Sequence, residues 1–508
     1  MSPVSPSSGV LDRAVRPARS VLRWLGRLIA PPTRDGDTDW VTRIAGIALL
    51  VGAGVVIGIN YLAPDKRMLA LMIATIIFGI AWRTDLVSSV GVLVLALPYP
   101  RGTVFGSTNV AIILLLVLIW LLRVSTRQAA PPQRTPVDVP IVALLIAFTI
   151  SFYNIPDAHT LARALENFTQ IIAGFAMFYM VVNCLRRPEH LERVHVFQCV
   201  SIGMVGLLGI WELTHPNSVL IPGWIRFYHS YSEGINIHNV RIGGPFFDFE
   251  LLSEYCAINL ILLILMVARA RSGARFVLYF GLFALTFFIM FATVTRGGIM
   301  ALAFGLLYLM WIMRRSLRLV PVTLGLGGAV LAFLAMNYYV AHFTHSGDLI
   351  ARLTNAQSWE FKDGMPISRA PIWQSAFERM MIHPIIGHGP VYTTEKGIDF
   401  WFWPHNGYLY IGNLVGFVGL GCYLWLLAKL FIISRPVSLD LKDPNYARAY
   451  LLIAHVQLAV FLVDQLKIDF LRNGVYPFQV WLLFAYIVSA HRLAQEPAPA
   501  RTPARAAR

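Results

Sequence analysis

The sequence predicts an all-α, polytopic membrane protein with about 12–14 transmembrane helices and a partly helical loop on one face of the membrane. Three observations favour this fold class. The 508 residues are 57% hydrophobic and 14% charged, a composition too apolar for soluble domains. Apolar runs of roughly 17–25 residues recur along the chain, as bilayer-crossing helices require. Basic residues concentrate in every second connection, which is typical of a chain threaded repeatedly through a membrane.

The predicted helices follow the apolar runs, of which the second and third are short for a bilayer. These runs are 44–63, 68–82, 86–100, 109–123, 138–154, 166–185, 194–213, 250–268, 276–294, 297–313, 319–340, 405–433, 448–463 and 474–491. The composition is too apolar for separate soluble domains between them. They therefore predict one transmembrane domain over residues 44–491.

Both tails lie outside this domain. Residues 1–43 form a basic tail in which Arg19, Arg23 and Arg27 share one helical face. Apolar residues on the opposite face predict a helix lying in the membrane interface, and a disordered basic tail explains the same residues equally well. Residues 492–508 are rich in alanine, proline and arginine, which favours disorder.

Arginine clusters orient the predicted bundle. They lie in the connections around 123–134, 186–193, 269–275 and 314–318. The positive-inside rule places these connections and both tails in the cytoplasm. The loops 155–165, 214–249, 341–404 and 464–473 then share the opposite face. This pattern accounts for the net charge of +15, so no nucleic-acid partner is predicted.

Two arginines at that opposite face are candidates for binding an anion. Arg296 stands in a Thr-Arg-Gly-Gly turn between two apolar runs, and Arg241 precedes the run at 250–268. A guanidinium fork binds phosphate oxygens in pairs, and neighbouring glycines let a ligand approach the backbone. For each position alone, an arginine that snorkels to lipid headgroups or is solvated in the loop is the alternative.

His405 is the candidate for proton transfer. It stands beside Asn406 at the end of the longest polar loop, within the sequence Trp-Pro-His-Asn-Gly-Tyr-Leu. An imidazole exchanges protons near neutral pH, which suits a general base. A structural histidine that caps the next helix is the alternative. Other histidines of the loop are not spaced as metal ligands, and no nucleotide-binding glycine loop occurs, so no metal or cofactor is predicted.

Together these residues resemble the O-antigen ligase and polymerase superfamily of bacterial inner-membrane proteins. The turn at 295–298 is similar to the family's Ser-Arg-Gly turn, with threonine in place of serine. The segment 241–246 is similar to the arginine-containing loop before that turn. Residues 405–409 match the family's His-Asn-x-Tyr-Leu element, and 368–389 resemble the segment before it. Within that segment, Ser368-Arg369-Ala370-Pro371 predicts the start of a helix with proline in its first turn. The resemblance covers about 235–425, whereas the N-terminal third is similar only in hydropathy.

The resemblance implies a glycosyltransferase whose donor is a glycan on an undecaprenyl diphosphate carrier. Arg241 and Arg296 would bind the diphosphate, and His405 would take the proton of an acceptor hydroxyl, with inversion and without a metal ion. Further residues implied in substrate binding are Arg369, Asn406 and Tyr408. The acceptor would be a glycan or lipid A–core. The protein would then be a surface-polysaccharide polymerase or ligase, acting on O-antigen or exopolysaccharide.

The same resemblance implies a location in the bacterial inner membrane, with membrane lipids as partners, both termini in the cytoplasm and the active face in the periplasm. The loops 214–249 and 341–404 would then be periplasmic. Two other classes stay open. A secondary transporter of a small solute or lipid-linked glycan would require internal repeats and ionisable residues at mid-membrane. A non-catalytic subunit of a glycan assembly complex would not consume the donor.

Overall fold

A computed structural model describes residues 85–98, 108–214, 241–246, 248–316, 369–391, 403–472 and 474–495, with scattered positions between 328 and 350 and the pairs 361–362 and 365–366. Contacts divide the chain into two units, Met1–Ser89 and Val90–Arg508. In the first unit only 85–89 are described, and there Asp85 Oδ1 accepts a hydrogen bond from Ser88 N at 3.2 Å. The second unit contains the helical bundle.

The described elements are almost entirely α-helices. In chain order they are α1 (Leu86–Ala96), α2 (Thr108–Ser125), α3 (Asp138–Ser151), α4 (Ala158–Cys184), α5 (Pro188–Thr214), α6 (Phe249–Ala268), α7 (Gly273–Ala292), α8 (Arg296–Met313), α9 (Ala370–Met380), α10 (Gly407–Ile433), α11 (Tyr446–Asp464) and α12 (Tyr476–Ala494). Two short strands, β1 (Phe361–Lys362) and β2 (Met365–Pro366), pair antiparallel. Within the described ranges, seven helices are long and apolar enough to cross a membrane, namely α4 to α8, α10 and α11. The predicted all-α, polytopic membrane fold is confirmed.

Helix α4 begins earlier than predicted. Its first residue is Ala158, so most of the predicted loop 155–165 is helical. Asp157 caps the helix, because its Oδ1 accepts from Thr160 N and its Oδ2 from Thr160 Oγ1, each at 2.8 Å. These hydrogen bonds hold the pKa of Asp157 below its usual value. Hydropathy did not detect this start because polar turns extend the helix beyond its apolar part.

Helix α12 ends later than predicted, at Ala494, inside the tail that was expected to be disordered from 492. Arg492 Nη2 donates to Val182 O at 2.9 Å and to Leu185 O at 2.6 Å, and the Leu493 side chain is fully buried. These contacts with α4 hold the last turn in place. Residues 496–508, the N-terminal tail and the predicted spans 44–63 and 68–82 lie outside the described residues.

One end of the bundle is lined by arginines that donate to backbone carbonyls at helix C-termini and in the connections between helices. Arg186, Arg269, Arg448 and Arg492 do so at distances of 2.6–3.1 Å. Cations satisfy unpaired C-terminal carbonyls and complement the helix dipole. We call this end, with the connections 126–137, 185–187, 269–272 and 434–445, the arginine end. We call the opposite end, which includes the α7–α8 turn and the start of α10, the site end.

Helix α10 is broken at Gly416, where φ is 66° and ψ is −171°. The break lies roughly 14 Å along the helix from its start, at 1.5 Å per residue. The sequence predicted an uninterrupted span over 405–433, and the structure corrects this. The backbone groups freed by the break pair with the segment Pro384–Pro390. His388 N donates to Asn413 O at 3.0 Å, Gly389 N to Leu414 O at 3.0 Å, Phe417 N to Pro384 O at 2.7 Å and Val418 N to Ile385 O at 3.3 Å.

Burial inside the protein makes this break tolerable in a membrane, because the freed amides and carbonyls find partners there. Asn154 and Asn167 pin the same segment from the other side. Their Nδ2 atoms donate to Gly387 O at 2.6 Å and to Pro390 O at 2.9 Å. The backbone of Pro384–Pro390 is therefore held between α10 and the region around the start of α4.

The break provides a test of this arrangement. Gly416→Ala is expected to lower the thermal unfolding midpoint by several degrees, because a Cβ there would overlap the Ile385 carbonyl and φ is positive. Gly421→Ala is the matched control in the same helix, since a Cβ at Gly421 has no neighbour within 4 Å. Both midpoints can be followed by tryptophan fluorescence of the detergent-solubilised protein. Equal midpoints for the two variants would contradict the docking of Pro384–Pro390 into α10.

Candidate active site

Helix ends from distant parts of the chain meet at the site end. Helix α6 begins at Phe249, α8 at Arg296 and α10 at Gly407, while α11 ends at Asp464. Helix α9 follows Arg369 and packs on α10, where Asn413 Nδ2 donates to the Ala376 carbonyl at 2.9 Å. The helix predicted to begin near Ser368-Arg369-Ala370-Pro371 is thus observed. Polar side chains at these ends form one network.

Glu250 is the centre of this network. Its Oε1 accepts a hydrogen bond from Arg369 Nη2 at 3.0 Å, and its Oε2 lies 3.0 Å from His405 Nδ1. The exposed fraction is 13% for the Glu250 side chain, 27% for Arg369 and 21% for His405. Because an ionised carboxylate only accepts hydrogen bonds, Nδ1 carries the proton in this contact. In the neutral imidazole this leaves Nε2 without a proton, which is the tautomer that a general base requires.

The backbone of His405 is strained, with a φ of 49° at a non-glycine residue. Its N–H donates to Asp469 Oδ2 at 3.0 Å, which ties the loop to the segment after α11. Asn406 caps α10, because its Oδ1 accepts from Tyr408 N and Leu409 N, both at 3.1 Å. These contacts hold the imidazole at the start of α10 and beside Glu250.

Asn406 and Tyr408, which the family resemblance implied in substrate binding, direct their polar groups into the protein. Asn406 Nδ2 donates to Leu466 O at 3.3 Å, and the Tyr408 hydroxyl donates to Leu462 O at 2.8 Å. Both contacts fasten the start of α10 to the end of α11. The geometry therefore gives these two residues a positioning role, and their contact with substrate stays a prediction.

Arg241 holds the turn between α7 and α8. Its Nε donates to Thr293 O at 3.0 Å, and its Nη2 donates to Val294 O at 2.9 Å and to Thr295 Oγ1 at 3.2 Å. The guanidinium lies 3.4 Å over the Phe249 ring. Val294 is β-branched and has a φ of 49°, so the turn is strained and depends on such contacts. The structure thus shows Arg241 positioning the turn, and its predicted contact with diphosphate stays a prediction.

The segment that carries Arg241 is itself anchored by a buried carboxylate near the end of α5. Glu212 accepts hydrogen bonds from Gly243 N at 3.2 Å and from Gly244 N at 2.8 Å. Ile242 and Phe246 in the same segment are fully buried. Gly244 has a φ of 55°, which a glycine adopts without strain. Arg241 therefore projects from a rigid support rather than from a loose loop.

Arg296 is the first residue of α8, immediately after the turn that Arg241 holds. It is half-buried, and the positive charge of Arg369 lies close enough to act on it. Lys467 adds a third cation, since it lies against Gly297 and forms an ion pair with Asp464 at 2.5 Å. The structure thus brings Arg241, Arg296, Arg369 and His405 to one end of the bundle. In the part of the chain that the structure describes, no three His, Cys, Asp or Glu side chains are grouped as metal ligands.

Sequence reasoning missed Glu250, Lys467, Asp464 and Asp469 as members of this site. A signal for Glu250 was present. It stands in the first turn of α6, whose mean hydropathy of 2.2 is the highest among the seven candidate spans. Burying a carboxylate in the first turn of such an apolar helix costs free energy unless a cation or hydrogen-bond donor pairs with it. No comparable signal marks Lys467, because an isolated lysine in a short connection is usually solvated.

These observations define a class: a polytopic α-helical membrane protein with a histidine, a carboxylate and several cations at one mouth of its bundle. Residues 281–424 match the model of a family described as O-antigen ligase. This match supports membership of the O-antigen ligase family and confirms the resemblance seen in the sequence. The matched segment includes Arg296, Arg369 and His405 but excludes Arg241 and Glu250. No curated protein matches the chain.

Proposed function

We propose that the protein transfers a glycan from an undecaprenyl diphosphate carrier to an acceptor hydroxyl at the periplasmic face, as a surface-polysaccharide polymerase or ligase. The observation that carries this proposal is the contact of Glu250 with both His405 and Arg369, beside Arg296. His405 would be the base, Glu250 the carboxylate that orients it, and the two arginines the cations for a leaving group, all at the site end of the bundle. The O-antigen ligase match supports a glycan-handling function of this kind.

In the proposed reaction the acceptor oxygen attacks the anomeric carbon from the side opposite the diphosphate, so the configuration inverts. A bond forms between that oxygen and the carbon, and the bond from the carbon to the diphosphate oxygen breaks. His405 Nε2 takes the hydroxyl proton, while the diphosphate leaves with the electron pair. Arg296 and Arg369 stabilise the charge that grows on the diphosphate, and Glu250 stabilises the imidazolium.

Arg241 takes a positioning role in this proposal. Its hydrogen bonds to the turn at 293–295 hold Arg296 at the start of α8, where the guanidinium can meet the diphosphate. Asn406 and Tyr408 do the same for His405 by fixing the start of α10. The strained backbone at Val294 and His405 fits a site that is held in place before the substrate binds.

The arginine end supports the orientation in the proposal. Positively charged connections face the cytoplasm in membrane proteins of many folds. With the arginine end in the cytoplasm, the site end faces the periplasm, where an exported lipid-linked glycan is available. Arg492 in the last turn of α12 lies at the arginine end, so the C-terminal end of α12 is then on the cytoplasmic side. The N-terminus is proposed to lie there as well.

The test is donor consumption by the purified full-length protein supplied with a lipid-diphosphate glycan and an acceptor. Release of undecaprenyl diphosphate together with a new glycosidic bond supports the proposal. Movement of the donor across a vesicle membrane without consumption would support a transporter and refute the transferase.

Deletion of the gene separates the two subclasses: single repeat units accumulate on the carrier if the protein is a polymerase, and whole chains accumulate if it is a ligase.

Transfer is expected to continue unchanged in EDTA. In the proposed mechanism Arg296 and Arg369 supply the charge stabilisation for which many transferases use a divalent ion. The measurement is the initial rate of donor consumption with EDTA, compared with the rate after magnesium or manganese is added back. A rate that collapses in EDTA and recovers with either metal would refute the metal-independent mechanism.

A further inference from the structure

Lys467 lies in an unusual position for a loop lysine. It follows the C-terminus of α11, and its backbone N–H donates to Asp464 O at 3.0 Å. Its side chain crosses to the start of α8, where a Cβ at Gly297 would overlap Lys467 Cδ, Cε and Nζ. The ammonium group is therefore packed on the residue next to Arg296. The absence of a Cβ at Gly297 leaves room for the lysine side chain in this position.

Asp464 holds the ammonium in this position. The two groups form an ion pair at 2.5 Å, in which Asp464 is fully buried and the Lys467 side chain is 32% exposed. Glu250 also acts electrostatically on Asp464, so the pair belongs to the same charged network as His405. A lysine has three N–H donors, and the contact with Asp464 uses one of them. Two N–H donors therefore remain on a side chain that is partly exposed at the site end, where another anion can accept them.

We propose that Lys467, held by Asp464 across Gly297, is a further cation of the diphosphate-binding site, beside Arg296 and Arg369. This inference rests on the proposed function and deepens it. The ligand chemistry is a phosphate or diphosphate group, for which a lysine ammonium acts as a compact point charge. Lys467 thereby joins the segment after α11 to the turn that carries Arg296, and the donor diphosphate lies between them.

The test measures binding of inorganic pyrophosphate to the full-length protein in phosphatidylcholine nanodiscs, without turnover. Lys467→Met keeps the aliphatic stem and is expected to weaken binding about tenfold or more, as loss of one charge-assisted contact does. Lys467→Arg is expected to retain most of the affinity. Because Lys467→Met leaves Asp464 buried without its counter-ion, that variant alone could simply destabilise the protein.

The double variant Lys467→Met/Asp464→Asn removes both charges and separates the two explanations. If Lys467 binds the diphosphate, the double variant folds with a near wild-type unfolding midpoint and still binds pyrophosphate about tenfold more weakly. If Lys467 only neutralises Asp464, the double variant binds pyrophosphate as the wild type does, and the proposal is overturned. Failure of the wild type to bind pyrophosphate would also overturn it.

Nanodiscs containing phosphatidylglycerol test the other source of phosphate, a lipid headgroup. The proposal expects wild-type pyrophosphate affinity to be nearly equal with and without this lipid. A clear loss with phosphatidylglycerol that Lys467→Met abolishes would assign the lysine to headgroups and overturn the proposal.

Wild-type protein that consumes no lipid-linked donor would refute the proposed function. Active wild type with unchanged pyrophosphate binding in every variant would refute the role of Lys467 alone.

Discussion

His405→Ala is expected to lower the rate of glycan transfer by about 10²–10⁴-fold, the usual contribution of a positioned general base. The reason is the geometry at Glu250: the carboxylate lies 3.0 Å from Nδ1, which in the proposed mechanism leaves Nε2 to take the proton of the acceptor hydroxyl. The measurement is the initial rate of donor consumption by purified protein. Pyrophosphate binding should persist in this variant, because the cations of the site are unchanged.

Two further variants make the test specific to the Glu250–His405 pair. Glu250→Gln keeps the shape of the side chain but loses the charge that orients and stabilises the imidazole, so a rate loss of about 10²-fold or more is expected. His159→Ala is the matched control, because His159 is exposed in the first turn of α4 at the same end of the bundle. A wild-type rate of transfer for His405→Ala would show that His405 is not the general base. Equal losses for His159→Ala would point to a general effect on the protein.

Arg296→Ala is expected to reduce transfer by about 10²–10³-fold, as removal of one preorganised group that stabilises transition-state charge does. Arg296 begins α8 at the turn held by Arg241, and it is half-buried near Arg369. The loss should appear mainly in kcat if the charge grows as the diphosphate departs. Both kcat and KM for the lipid-linked donor should therefore be measured, with membrane accumulation of the variant checked by immunoblot.

The matched control lies at the other end of the same helix. Arg314 follows α8 at the arginine end, where it is exposed and its Nη1 donates to Trp311 O at 3.0 Å. Arg314→Ala should leave kcat and KM near the wild-type values. If Arg296→Ala transferred glycan at the wild-type rate, the arginine would be a headgroup contact instead of a ligand for the leaving group.

Much of the fold could be predicted because it depends on local properties of the chain. The run at 250–268 became α6 within one residue, and the Ala370–Pro371 start of α9 was visible from proline in its first turn. The break in α10 could not be predicted. Gly416 is one of several glycines in an apolar run, so nothing in the local sequence marks it. Its positive φ interrupts the helix where the segment Pro384–Pro390 supplies hydrogen-bond partners for the freed amides and carbonyls.

The candidate site, like the fold, could be predicted only where it depends on local sequence. Arg296 and His405 could be chosen because charged or titratable residues at a membrane mouth are few and stand in recognisable local patterns. Glu250 could not be connected with them, since it meets Arg369 and His405 across 119 and 155 residues of sequence. The geometry also gives Arg241 a role in holding the α7–α8 turn, which its place in a glycine-containing loop did not indicate.

The amino-acid sequence alone determined that this is a helical membrane protein whose motifs resemble those of the O-antigen ligase family, because hydropathy, charge asymmetry and short motifs are read from neighbouring residues. Only the tertiary structure decided which carboxylate orients His405, which residues hold the turn of Arg296 and where α10 breaks. These features arise when distant helix ends pack together, since a buried charge or a freed backbone group needs a partner that the packing supplies.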